Sequence, residues 1–508
     1  MDNIISSATL QQPLEKPKIV YSKVERIAAL LCLLFGYFFI KFVFLGHENV
    51  FTAFYFITFS IFSLIYYKNC HISINFKSVM FFLLVNLFSM NYLITDNGMI
   101  AFLDTVFIIL AIIYWNYYTC QNENKKFLSN HFCLDLLNAA IVLPFAHFVE
   151  APKAMFSNSK SKKNGKLKLI LLGLIIALPI TLVIGGLLLA ADSLFENMMS
   201  FALKDISSSV VTFIMQVILG IPVALYLFGL LFSNARKKHQ QYIPDESKAK
   251  VTKSMRVVPS TILYTAVTPI CVLYALFFIA QAGYFLSAFQ SYLPEGFSYA
   301  EYARRGFFEL CVVAILNLFI LILLNGLCKW KTEKKPNGLK AYTIILSVFT
   351  LMLITTALSK MILYINAYGF TLLRVYTSWF MILLGVIFII ILLKAVFDKI
   401  NVVKQSVIAF LILFTILSFS NIDGLIAKYN VEWFETGKIE EMDISMLYQL
   451  SDSAVPYVIP LTKHKNEQIA KESQEYLDLF IHKYEKQKWT NFNLSSYLAY
   501  QEYVKATR

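Results

Sequence analysis

The sequence predicts an all-α fold: a polytopic transmembrane helix bundle of about eleven spans with a small helical extracytoplasmic C-terminal domain. Three observations predict it. Of the 508 residues, 58% are hydrophobic and only 15% charged, and the mean hydropathy is +0.61. A soluble domain is about 45–50% apolar and about 25% charged, so an ordinary cytosolic enzyme and a disordered chain are both excluded. The apolar residues fall into runs long enough to cross a bilayer. Lys and Arg concentrate in alternate loops between those runs.

The expected spans are 27–45, 50–67, 78–94, 99–118, 169–191, 210–232, 260–289, 306–326, 341–365, 371–396 and 407–422. The third and eleventh are the shortest. The seventh and ninth are long enough to tilt or to project beyond the bilayer. Pro179 in the fifth, and Pro259 and Pro269 at the seventh, are expected starts or kinks.

Orientation follows from the charges. One set of loops holds Lys16, Lys18, Lys23 and Arg26, then Lys68 and Lys77, then eight Lys between 125 and 168. It continues with seven basic residues from Arg236 to Arg256, five Lys from 329 to 340, and Lys394, Lys399 and Lys404. The alternate loops of the first half are nearly empty: 46–49 and 95–98 hold none, and 192–209 holds only Lys204. The rule that basic loops stay inside places the N-terminus in the cytoplasm and the C-terminus outside. The expected regions are therefore a cytoplasmic segment 1–26, a four-helix membrane region 27–118 and a cytoplasmic loop 119–168. A seven-helix membrane region 169–422 and an extracytoplasmic helical tail 423–508 follow. No cleavable signal peptide is expected, because the first apolar run follows a long polar lead.

Within the loop, Phe132–Val149 is apolar, is broken by Pro144, and reads as an interfacial helix. In the tail, Asp443–Leu450, Asn466–Lys486 and Leu494–Lys505 read as helices docked on the outer ends of the spans. The +13 charge sits in short loops between spans, so the lipid bilayer rather than nucleic acid is the expected partner. The seven cysteines form no CxxC pair, and no disulfide framework is expected. P-loop, HExxH and GxSxG motifs are missing. His131, Cys133 and His147 fit no standard metal spacing. No metal, cofactor or catalytic residue is assigned.

Polar residues at membrane depth carry what functional signal there is. Lys41 and Lys394 lie near span ends and can snorkel. Asp104, one turn inside the fourth span, is either a buried site or a partly wet helix start. On the outer side, Ser298 and Glu301 match a capping box, and Glu301, Arg305 and Glu309 then share one helix face. Arg304 lies off that face. Lys360, Tyr364, Arg374 and Asp423 come from three further spans at the same level. Together Glu301, Arg304, Arg305, Glu309, Lys360, Tyr364, Arg374 and Asp423 form a candidate ligand-binding cluster, or equally a set of salt bridges clamping the bundle. Arg374, about one turn deep, is expected to pair with Glu309 or Asp423, because an unpaired guanidinium there is costly.

The pieces Tyr299–Glu309, Tyr368–Arg374, Asn421–Asp423, Asp443–Ser451 with Ala454–Pro456, and the close Trp489–Leu494 resemble uncharacterised bacterial membrane-protein families. These are the domains of unknown function of the 4153 and 4173 types. The likeness covers roughly 20–500 in layout and is specific in those pieces. Asp452-Ser453 stands where the family favours an acid just before Ala454. The resemblance implies a multi-pass protein of the bacterial plasma membrane and supplies no reaction. Two functions follow as expectations. The first is a non-enzymatic protein whose outward charged cluster binds a lipid head group or an envelope protein, in transport, sensing or an accessory role. The alternative is a membrane enzyme acting on a lipid-linked substrate at the outer leaflet, with Glu309 or Asp423 as acid/base and Arg304 or Arg374 holding phosphate.

Overall fold

Backbone polar groups find no water in hydrocarbon, so a spanning segment must satisfy them internally as a helix. Among the described residues ten helices are long and apolar enough to cross a membrane, and the chain is an all-α membrane protein. The structure, a computed structural model, describes residues 19–46, 49–121, 128, 129, 131–157, 173, 177, 180, 181, 184–203, 207–237, 250, 251, 254–289, 307–330, 335–397, 399–439, 442 and 444–507. The spanning helices are α1 (Lys23–Phe38, continued by a π turn Phe39–Phe44), α2 (Asn49–Asn69), α3 (Phe76–Met90), α4 (Gly98–Thr119) and α5 (Ser208–Ala235). They continue with α6 (Ser260–Phe289), α7 (Phe307–Leu327), α8 (Asn337–Tyr368), α9 (Leu372–Val396) and α10 (Val402–Phe419). The tail contributes α11 (Ile422–Glu435), α12 (Glu467–Glu485) and α13 (Leu494–Thr507). Of the expected span 169–191, residues 173, 177, 180, 181 and 184–191 are described, and all of them are helical. Helix α8 has 32 residues and at 1.5 Å per residue runs about 48 Å, well beyond a hydrocarbon core of about 30 Å.

The chain divides into two units, residues 1–40 with 144–232, and residues 41–143 with 233–508. In the first unit, α1 opens with a capping box between Ser22 and Glu25. It meets α5 where two glycines face each other: a Cβ on Gly36 would lie 2.2 Å from the Gly220 carbonyl oxygen. Bilayer helices use such small residues to bring backbones into direct contact.

In the second unit, α3, α4 and α10 pack through Phe88, Phe107 and Phe414, with the rings of Phe88 and Phe414 stacked at 5.5 Å. Helices α6 to α9 share a core that includes Phe307, Leu321, Leu346, Ala357, Met381 and Phe388. Asn317, fully buried, ties three of them: it accepts from the Tyr274 hydroxyl at 2.7 Å and donates to Thr350 at 2.9 Å. A two-residue parallel strand pair, Val258–Pro259 on Cys328–Lys329, joins the ends of α6 and α7.

The apolar loop segment is helical over 132–146, and Asp135 within it accepts from the Tyr117 hydroxyl at 3.0 Å. A π turn, Asn138–Val142, runs up to Pro144. Proline lacks the N–H that a regular helix needs there, and the wider turn accommodates it. The tail is helical and docked, as expected. The Ser495 N–H donates to the Ile94 carbonyl at 3.0 Å, and the Trp489 ring meets Phe51 edge-on at 5.6 Å.

Candidate functional site

Helix α8 ends at Tyr368, and Gly369 takes a φ of +72° that a side chain would strain. A Cβ there would also lie 2.6 Å from Asn430 Oδ1. Asn430, on α11, holds the turn like a backbone strand: its Oδ1 accepts from the Phe370 N–H at 2.7 Å and its Nδ2 donates to the Phe370 carbonyl at 2.8 Å. Thr371 then caps α9, accepting from the Arg374 N–H at 3.4 Å.

This geometry corrects the expected ion pair of Arg374. Its Nη1 donates to the carbonyls of Tyr368, at 3.0 Å, and of Gly369. The guanidinium stacks on Tyr364, 3.9 Å from the ring centroid. No carboxylate pairs with it among the described residues. The physical reason is the C-terminus of α8. Its last carbonyls have no intrahelical donor and carry the negative end of the helix dipole, so they take the role reserved for a carboxylate. Beside Arg374 lies a cavity of about 190 Å³, lined by Phe307, Met361, Tyr364, Thr371 and Thr377 among others. Glu309 lies exposed in the first turn of α7, and Lys360 is half-buried on α8. Glu301, Arg304 and Arg305, with their capping box, lie outside the described residues.

Asp423 is committed elsewhere. Asn421, in the left-handed region, caps α11 and places Asp423 in its first turn, 2% exposed. Both carboxylate oxygens accept from Asn97 Nδ2, at 2.9 and 2.7 Å, and Oδ2 accepts the Ser451 N–H at 3.2 Å. Asn97 is itself the N-cap of α4, and its Oδ1 also accepts from the Tyr376 hydroxyl at 3.2 Å. One amide thereby joins α4, α9, α11 and the tail. A cavity of about 110 Å³ opens beside it, with Ser418, Asn421, Ser453 and Ser495 on its wall.

Asp104 is a buried site rather than a wet helix start, at 1% exposure. Asn91 donates to it at 2.6 Å and Ser418 at 2.9 Å, which ties α4 to the end of α3 and to α10. A third acidic group closes the tail. The Asp452 N–H donates to Asp96 at 3.2 Å, and Lys483 bridges Asp452 at 2.8 Å and Asp96 at 3.5 Å. Ser496 donates to Asp452 at 2.5 Å. Burial, then the neighbouring Asp452, pushes the Asp96 carboxyl up to about 7. Its Oδ1 is buried with no hydrogen-bond partner among the described residues. Burial works against the charge of Lys483, but Asp452 and Asp96 together raise it above its ordinary value.

The structure thus divides the expected cluster into an Arg374–Tyr364 corner and an Asp423–Asn97 clamp. Sequence reasoning missed Asn91, Asp96, Asn97, Asn430 and Lys483. A signal existed for Asn97 alone, since Asn followed by Gly directly before an apolar run reads as a helix cap. Among the described residues, no group of three His, Cys, Asp or Glu side chains is placed to hold a metal.

No curated protein and no solved structure matches the chain. A family model described as a domain of unknown function, DUF4153, matches residues 81–461. That match takes in the Arg374 corner, the Asn97–Asp423 clamp and the Asp104 site, and over so much of its length the chain belongs to the DUF4153 family.

Proposed function

We propose that the protein is a non-enzymatic, multi-pass protein of the bacterial plasma membrane, with its N-terminus in the cytoplasm and its tail outside. Its tail-bearing end binds a ligand or partner through the Arg374 corner. The basic loops support the orientation. The observation that carries the binding role is Arg374 itself. Both of its side-chain hydrogen bonds to main-chain carbonyls run from Nη1, so that among the described residues no group accepts from Nε or Nη2. The stacked ring of Tyr364 holds the guanidinium flat beside a cavity that Thr371 and Thr377 also line. A planar fork so held suits a phosphate or carboxylate, presented by a lipid head group or an acidic segment of an envelope protein. The enzymatic alternative calls on Glu309 or Asp423 as acid/base; Asp423 already serves Asn97 and Ser451, which leaves that reading only Glu309, exposed in the first turn of α7.

Affinity purification from native membranes, with wild type and Arg374→Lys compared, tests this. Lysine keeps a cation and can still reach the turn carbonyls, but it loses the fork and the stacking. A lipid or protein enriched with wild type and lost with Arg374→Lys, at unchanged protease resistance of the tail, is the expected result. Nothing enriched with wild type, or equal recovery with both, would overturn the reading.

A further inference from the structure

The opposite end of the second unit holds another stacked guanidinium. Arg256 lies two residues before the first strand of the pair that joins α6 and α7, and Trp330 directly follows the second. Val258 beside Cys328 and Pro259 beside Lys329 hold the two segments together. The Arg256 guanidinium thereby rests on the Trp330 ring, 3.8 Å from its centroid. Such a contact occupies one face of the group and steadies its charge. It leaves the five N–H donors, which lie in the plane, without an acceptor. Arg26 and Arg374 each donate to main-chain carbonyls. Among the described residues nothing accepts from Arg256, and no carboxylate is paired with it. The nearby Cys328 side chain is a neutral thiol. Arg256 Nε is buried without a partner, whereas the Nη nitrogens and the Trp330 indole N–H remain accessible.

The surroundings say which acceptor is at hand. Arg256 stands between Met255 and Val257, which are 51% and 64% exposed. Helix α6 begins at Ser260 and α7 ends at Leu327, so the stack lies at the level where two spans meet the membrane boundary. Bare apolar side chains on both sides of a cation suit that boundary, where indole rings also gather. Unmet donors of a cation are costly away from bulk water. The phosphates that lie at this level are those of lipids. A planar fork matches two oxygens of one phosphate, and the indole N–H is a further donor from the stacked ring. Lys329, exposed and adjacent in the chain, adds positive charge that favours an anionic lipid over a zwitterionic one. We infer that Arg256 and Trp330 form a binding site for the phosphate of an anionic phospholipid, with Met255 and Val257 against its acyl chains. The site is independent of the Arg374 reading.

Purified full-length protein is to be scanned for thermal unfolding in detergent with added phosphatidylglycerol, with phosphatidylcholine, or with inorganic phosphate alone. Phosphatidylglycerol should raise the wild-type midpoint, and the other two should not. Arg256→Gln loses the hydrogen bonds between two charged groups, so half of the shift should need about 10- to 100-fold more phosphatidylglycerol. Arg256→Lys keeps the charge but not the fork, and should fall between the two. Lys399→Gln removes an exposed charge from a loop at the same end and should respond as wild type does. No shift in wild type, or an equal shift from phosphatidylcholine or inorganic phosphate, would overturn the inference. So would an unchanged half-point in Arg256→Gln, or an equal loss in Lys399→Gln. A second measurement needs no variant. Phosphatidylglycerol with a photoreactive head group should crosslink wild type within 254–264 or 326–330, and adducts confined to other segments would overturn the site.

Discussion

Replacing Asp423 with alanine should release the tail from the spans. The side chain is 2% exposed and accepts two bonds from Asn97 Nδ2 and one from the Ser451 N–H. Alanine leaves both donors buried without an acceptor. Each unsatisfied buried donor costs about 1–3 kcal/mol, and there are two of them. A loss of about 3–5 kcal/mol in docking, the middle of the summed range, follows. Where opening and reclosing are fast relative to cleavage, the proteolysis rate tracks the open population. Cleavage within 444–507 by an added protease should therefore accelerate by roughly 150- to 5,000-fold. Asp423→Asn supplies the control, since an amide oxygen can still accept from one donor while its NH₂ faces the other. Its effect should be intermediate, at about 1–2 kcal/mol. An Asn97→Ala/Asp423→Ala double variant should cost less than the sum of the singles, because the two share one set of bonds. Acceleration below about 5-fold in Asp423→Ala, or strict additivity in the cycle, would refute the clamp.

Two further predictions concern the tail latch and the first unit. Asp96 holds its proton more tightly when the tail is docked, with its carboxyl pushed from the ordinary 3.8 to about 7. Its contribution is therefore complete below about pH 4 and is lost as pH rises to about 7; protease cleavage of the tail should increase across that window and level off above it. Asp96→Asn should flatten the profile, and an unchanged slope would exclude Asp96 as its source. Gly36→Ala places a methyl 2.2 Å from the Gly220 carbonyl oxygen and should cost about 1–3 kcal/mol by overpacking. Gly186→Ala meets nothing within 4 Å and should leave the unfolding midpoint unchanged or slightly raised, so equal midpoints for the two variants would deny the close approach of α1 and α5.

The spans were legible because hydrocarbon imposes one solution, and runs of apolar residues report it directly. The tail was legible for a related reason: Ile469, Tyr476, Phe480 and Tyr484 recur at helical spacing, and Tyr476 and Phe480 are buried. The site was legible only in fragments, and the error on Arg374 shows why. Sequence reveals charges, so an Arg at membrane depth was matched with the charges in view, Glu309 and Asp423. The actual acceptors are the Tyr368 and Gly369 carbonyls, which every residue possesses and which only a helix end exposes. The buried acids tell the same story from the other side. Asp104 is met by Asn91 and Ser418, and Asp423 by Asn97 and a main-chain N–H. Apart from the helix-cap signal at Asn97, nothing in the sequence singles those partners out. Physics favours them all the same. Answering a buried acid with an arginine puts two charges into a poorly solvating medium, and the desolvation penalty of the second can exceed the attraction gained. An amide supplies a directed bond without that second charge. Amide clamps therefore tie α4, α10, α11 and the tail into one end of the bundle. Arg374 keeps its planar donors beside the cavity it lines, where the proposed ligand would meet them.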